Sequence, residues 1–261
     1  MRECTVLRVF TDGDEGGNPL GVVTDLTGLD GDAMQAIATG LGFSETVFID
    51  PDHRVRIFTP AAELPFAGHP LVGAAWALGR AGPTSGRMVC GIGEIPFIVD
   101  GDRSRVEAPM TGDVAVAPDG PAIAATAGFP EPVRAWWARM PVPYLVLEVD
   151  GADAVRSAAP DIAALAAGPA GEAAYLISRD GDVVTARFFA PLLGVDEDPA
   201  TGSAAAALAA ILVFEGEASG ALTVLQGAEV GYPSRIGLEW EGSVVRLGGT
   251  VRHDGIRRLA T

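Results

Sequence analysis

The chain has 261 residues, 34 of them acidic and 18 basic, giving a formal charge of −16. Such a balance offers no surplus of cations to displace the counterions of a nucleic acid or to sit on an anionic membrane, which argues against both as partners. All 18 cations are arginine, and without lysine a Schiff-base mechanism or a lysine-held pyridoxal phosphate is excluded too.

Apolar residues make up 48% of the chain, within the globular range, and the length suits one large domain or two ordinary ones. Thr5–Phe10 reads as a strand, followed by a Gly-rich loop, Asp12–Asn18, and a second apolar run, Leu20–Thr24. Asp30–Leu41 reads as a helix, because Ala33, Met34, Ile37, Ala38 and Leu41 recur at three- and four-residue spacing and Gly42 stands where a C-terminal cap belongs. Glu45–Ile49 and Arg54–Thr59 read as strands joined by a turn at Pro51-Asp52-His53, and a small-residue helix follows at Pro70–Arg80. Further strands are expected at Met88–Val89, Pro96–Val99 and Arg105–Glu107, and the Pro-, Gly- and Asp-rich stretch Pro109–Pro121 reads as a linker. Beyond it come strands near Tyr144–Val149, Tyr175–Ser178 and Val183–Phe189, a helix at Ser203–Phe214, then short strands. The longest strongly apolar run, Ala204–Phe214, falls short of the roughly 20 residues a membrane helix needs, and Met1–Phe10 has no leader-like apolar core. Cys4 and Cys90 make no CxxC pair, and His53, His69 and His253 offer no metal-ligand spacing. The expectation is a cytoplasmic protein that holds no metal.

The two halves repeat one grammar. Arg56-Ile57-Phe58-Thr59-Pro60 matches Arg187-Phe188-Phe189-Ala190-Pro191, and Ala67-Gly68-His69-Pro70 through Ala75 matches Thr201-Gly202-Ser203 through Ala207. Each copy is a strand, a polar loop, and a Gly-containing turn that opens a helix of small apolar residues. A helix apolar nearly all round must be buried on all sides, which a sheet curled around it would achieve. The period is too long for a solenoid and fits two facing domains, 1–112 and 113–261, with the last strand free to return to the first.

Each of these helices begins with backbone N–H groups that lack an intrahelical partner. With the positive end of the helix dipole they bind an anion, and a substrate carboxylate is the natural guest. A cleft between facing domains would see both starts, together with Glu45, His69, Asp198, Thr201 and Ser203. Glu45, beside Phe43 and Val47, would lose solvation, raising its pKa toward the range useful for proton exchange. On the residues alone Glu45 could equally be a solvent-facing strand residue, His69 a cap, and Asp198 a turn residue before Pro199.

The chain resembles the PhzF family, the phenazine-biosynthesis isomerase-like proteins that share their fold with diaminopimelate epimerase and proline racemase. The resemblance rests on Val9-Phe10-Thr11 with Gly17-Asn18-Pro19, Phe43-Ser44-Glu45-Thr46, Arg56 to Pro60, Glu63-Leu64-Pro65-Phe66-Ala67-Gly68-His69-Pro70, and Asp198-Pro199-Ala200-Thr201-Gly202-Ser203-Ala204. It implies an α/β (α+β) fold of two homologous domains, each a curled, mostly antiparallel sheet around a central helix. It further implies a homodimer, no cofactor, and a small-molecule carboxylate substrate. Glu45 would be the main acid/base residue and His69 and Asp198 its catalytic companions, with Asn18, Gly68, Thr201, Gly202 and Ser203 at the substrate. The thiol pair of the racemase relatives would fall near Ala67 and Thr201, neither of which is cysteine, and a family G-R-P-S segment stands here as Gly231-Tyr232-Pro233-Ser234. The expected reaction is therefore proton transfer by one carboxylate within an unsaturated acid. Opposed-base epimerisation by Glu45 and Asp198, or carboxylate binding without catalysis, are the alternatives.

Overall fold

A computed structural model describes residues 2–110, 112–139 and 142–259. Strand Arg2–Thr11 lies between Asn18–Val23 and the long strand Val244–Leu259, antiparallel to both. Asn18–Val23 runs parallel to Glu45–Ile49, which pairs with Val55–Phe58. A bridge from Arg54 to Val89 leads on to Ser85–Cys90, then Gly93–Asp100 and Arg103–Pro109, and Arg103–Pro109 pairs with Val244–Thr250. The strands thus close a ring, and helix Gly68–Ala81 fills it. Alternation drives the curl: in Gly93–Asp100, Ile95, Phe97 and Val99 are buried against the helix while Glu94, Ile98 and Asp100 face water.

The second half also wraps a sheet around a helix. Val114–Val116, Arg134–Arg139, Pro143–Glu148, Ala174–Asp180, Val183–Ala190, Ser219–Gln226 and Ser234–Glu241 follow one another around helix Gly202–Phe214. Among the described residues three strand ladders are parallel and the rest antiparallel, so the sheet is mostly antiparallel, as expected for this α/β class. Helix Gly202–Phe214 buries Ala204 to Ala209, Ile211 and Leu212, and its alanines let the surrounding strands approach its axis closely.

Several elements differ from the sequence reading. Helix Gly31–Leu41 starts one residue late because Asp30 is its cap, accepting from the Ala33 N–H at 2.9 Å, and it ends at Gly42 in the left-handed region (φ 67°), as expected. The stretch read as a linker carries structure: Pro109 closes a strand, Val114–Val116 pairs with Arg134–Arg139, and Gly120–Thr126 is helical. Pro121 sits in the first turn of that helix, where its missing N–H costs nothing, so a residue read as a breaker is a starter. Helices Ala152–Ser157 and Ile162–Ala167, too short to show a period, pack over the outer face of the second sheet. The expected short strands after residue 243 are one strand of 16 residues, Val244–Leu259. It pairs in turn with Ser234–Glu241, Arg103–Pro109 and Arg2–Thr11.

The Gly-rich loop Asp12–Asn18 ties the halves together. Gly17 N–H donates to the Pro233 carbonyl at 3.2 Å, and Arg235 Nε donates to Asp12 at 2.9 Å. Gly16 has φ 63°, and a Cβ there would overlap the Pro233 backbone, so only glycine fits. This docking delivers Asn18 to the loop that carries Asp198 and Ala200.

Candidate active site

The two central helices meet start to start. A Cβ built on Gly68 would lie 2.7 Å from the Gly202 Cα, and one on Gly202 would lie 2.9 Å from the Gly68 Cα. Neither N-cap residue, Ala67 or Thr201, bonds the first-turn N–H groups with its side chain. Two positive dipole ends therefore abut with free donors, an arrangement that calls for negative charge between or beside them.

Glu45 opens strand Glu45–Ile49 at this junction. Burial holds its carboxyl well above the usual carboxylate range, and the charge of Asp198 adds to the effect. Its Oε2 is buried without a hydrogen-bond partner and lies 3.2 Å from His69 Nδ1. Burial also pushes His69 down to about 3, the Pro19 carbonyl acting in the opposite sense, so the ring is neutral near pH 7. The contact has ion-pair distance but joins a neutral imidazole to a carboxyl biased toward protonation, so it is not a salt bridge.

Asp198 is held quite differently. Its Oδ1 accepts from Asn18 Nδ2 at 2.9 Å and from Ser44 Oγ at 3.0 Å, and its Oδ2 accepts from Thr201 Oγ1 at 2.6 Å. Burial raises it to about 6, against the lowering effect of those three donors. Gln226 Nε2 reaches over from strand Ser219–Gln226 to donate to the Asp198 carbonyl at 2.7 Å and to Thr201 Oγ1 at 3.0 Å. Ser203, in the first turn of helix Gly202–Phe214, accepts from the Tyr144 hydroxyl at 2.9 Å.

Glu45, Asp198, Thr201 and Ser203 line a cavity of about 70 Å³ together with Phe66 and Phe188. A wider surface depression of about 570 Å³ beside Phe48, Arg54 and Pro65 contains none of these polar groups. The structure therefore brings together Glu45, Gly68, His69, Asp198, Thr201, Gly202 and Ser203. Asn18 stands one layer behind the cavity, its amide spent on Asp198 and on the Ala200 carbonyl at 3.0 Å. Ser44, Tyr144 and Gln226 complete the site and were not singled out from sequence. Gln226 carries one local signal, a polar residue ending an alternating apolar strand just before Gly227. Ala67 and Thr201 stand at the helix starts, where a thiol pair would be needed, while Cys4 and Cys90 are buried elsewhere. Among the described residues no cluster of three His, Cys, Asp or Glu side chains is spaced for a metal ion.

This arrangement can hold a carboxylate at the helix starts and exchange a proton through Glu45 beside it. The family model described as phenazine biosynthesis-like protein, PhzC-PhzF, matches residues 7–253. An uncharacterized isomerase of Mesorhizobium japonicum is 37% identical over 88% of this chain and 88% of its own. Trans-2,3-dihydro-3-hydroxyanthranilate isomerase of Pseudomonas aeruginosa is 32% identical over 95% of this chain and 93% of its own. The crystal structure of a PhzF-family phenazine biosynthesis protein from Bacillus anthracis superposes with a TM-score of 0.85 at 22% identity, covering 100% of this chain and 99% of the other. With a match that spans nearly its whole length, the chain belongs to the PhzC-PhzF family of phenazine biosynthesis-like isomerases.

Proposed function

We propose that the protein moves a proton within a small unsaturated carboxylic or amino acid, using Glu45 as the carrier and no cofactor. One observation carries the assignment: the two buried carboxyls are unequal. Both oxygens of Asp198 are occupied by hydroxyl and amide donors, whereas Glu45 Oε2 is buried, unbonded and beside the cavity. A group whose lone pairs are spent orients its neighbours, while a bare carboxylate with a raised pKa can take a proton from carbon and give it back. In this reading the helix starts and Ser203 hold the substrate carboxylate. Glu45 removes a proton from a carbon next to a double bond, the electron pair shifts along the conjugated system toward the carboxylate, and Glu45–H delivers the proton at the far carbon. His69, neutral and 3.2 Å from Glu45 Oε2, sits beside the carboxyl without competing as a cation.

The cyclic dihydro-hydroxyanthranilate on which the Pseudomonas relative acts suits this chemistry, and it is the substrate to try first. In deuterated water, turnover should place deuterium on a carbon whose double bond has moved. Glu45→Gln should slow that exchange by about 10²–10⁴-fold while the product still binds. Deuterium at an unchanged stereocentre, with equal losses in Glu45→Gln and Asp198→Asn, would replace this reading by the two-base epimerase. Binding with no exchange would leave only a carboxylate-binding protein.

The resemblance also supports a homodimer active in the cytoplasm in specialised metabolism. We place the division between the two repeated units near residue 112. No helix among the described residues is long and apolar enough to cross a membrane. Sedimentation at micromolar concentration should return about twice the 26.8 kDa chain mass, and a single-chain mass would refute the dimer.

A further inference from the structure

Beyond the family motifs, Tyr144 touches the site from a strand where no motif falls. Tyr144 sits in strand Pro143–Glu148, is 4% exposed, and borders the same cavity as Glu45 and Asp198. Its hydroxyl donates to Ser203 Oγ at 2.9 Å. A serine hydroxyl has one proton to give and two lone pairs to receive. With Tyr144 filling an acceptor position, the Ser203 proton is left over, and Ser203 itself lines the cavity at the start of helix Gly202–Phe214.

Resting on the proton-transfer reading above, we propose that Tyr144 is a positioning residue that sets Ser203 as a hydrogen-bond donor toward the substrate oxygen on which charge builds as Glu45 takes its proton. A free serine would turn its proton toward whichever acceptor is nearest, and Glu45 and Asp198 both border this cavity. Tyr144 offers that role reliably because its own proton stays on. Burial pushes the phenol up to about 12, and the nearby Glu45 and Asp198 charges oppose its ionisation further, against the bond to Ser203. Its ring is locked by packing against Phe188, centroid to centroid 6.0 Å, so the hydroxyl is presented from a fixed platform. The benefit is preorganisation: the donor is aimed before charge develops and need not turn during the reaction.

Tyr144→Phe removes the hydroxyl and keeps the ring, so the fold and the apolar wall should survive. With trans-2,3-dihydro-3-hydroxyanthranilate in deuterated water, we expect kcat to fall roughly three- to tenfold with KM changed less, the scale of one neutral hydrogen bond. Ser203→Ala should cost as much or more. In the Ser203→Ala background, Tyr144→Phe should have little further effect, because the tyrosine acts through the serine. The thermal midpoint of Tyr144→Phe should stay near wild type, which separates aiming from support of the fold. Wild-type kcat in Tyr144→Phe, or losses that multiply independently in the double variant, would overturn the assignment while leaving the Glu45 reading intact. A wild-type protein that neither exchanges nor converts the substrate would overturn that reading, and the role given to Tyr144 would fall with it.

Discussion

At the scale of single residues, two carboxyls sit in opposite surroundings, and the proposed chemistry divides between them. The second cause of Glu45's raised pKa is the charge of Asp198, so the two titrate as a linked pair. The sign follows directly. A negative neighbour makes ionisation of Glu45 harder, and removing that charge must make it easier. Asp198→Asn should therefore move the acidic limb of the kcat/KM profile to lower pH, whatever it does to the rate at the optimum. A limb that stays put or moves upward would show that Asp198 does not bear on Glu45. Glu45 and His69 could be picked out from sequence because each stands in a dense local motif. Tyr144 and Gln226 could not. Each meets its partner across the fold, Tyr144 with Ser203 and Gln226 with the Asp198–Thr201 loop, and inside an apolar strand a tyrosine or glutamine looks like filler.

At the scale of elements, both central helices were legible because their composition leaves little choice. A run of small apolar residues with no polar face can only be buried, and the repeated Gly-led start marked where each one begins. The short helices of the second half were not legible, since six or seven alanine-rich residues between Gly and Pro carry no period to detect. The facing starts also change what a substitution there should do. From sequence, bulk at residue 202 would be expected to crowd a bound anion. In the structure a Cβ on Gly202 meets the Gly68 backbone at 2.9 Å first, so the damage begins with the fold. Gly202→Ala should lower stability by about 1–3 kcal/mol in denaturant unfolding, the usual cost of overpacking. Ser203→Ala should cost less than that and act mainly on turnover. A Gly202→Ala protein as stable as wild type would mean that the helix starts can move apart freely.

At the scale of the whole molecule, the charge of −16 sets a field that the site must work against. The helix starts attract an anion over a few ångströms, while the surface repels it from further away. For a ligand of net negative charge such as benzoate, the association rate should therefore rise as salt is added from low ionic strength, since screening weakens the long-range repulsion first. A rate that falls with salt would place an attractive surface around the entrance. The doubling of the fold was readable from the matched strand and helix motifs. The way the halves are stitched was not, because the stitching is done by strand pairings nearly a chain length apart, such as Arg2 with Leu259.

That last strand has a consequence for how the molecule is made. Arg2–Thr11 leaves the ribosome long before Val244–Leu259, its neighbour in the sheet. Arg103–Pro109 waits for the same partner. The first ring cannot close before Val244–Leu259 has been made, and its strand edges stay open until that strand emerges. Contacts this distant in sequence make for slow folding and a long window of exposure. Nascent chains stalled before residue 244 should remain open to protease across residues 2–110, and released chains should not.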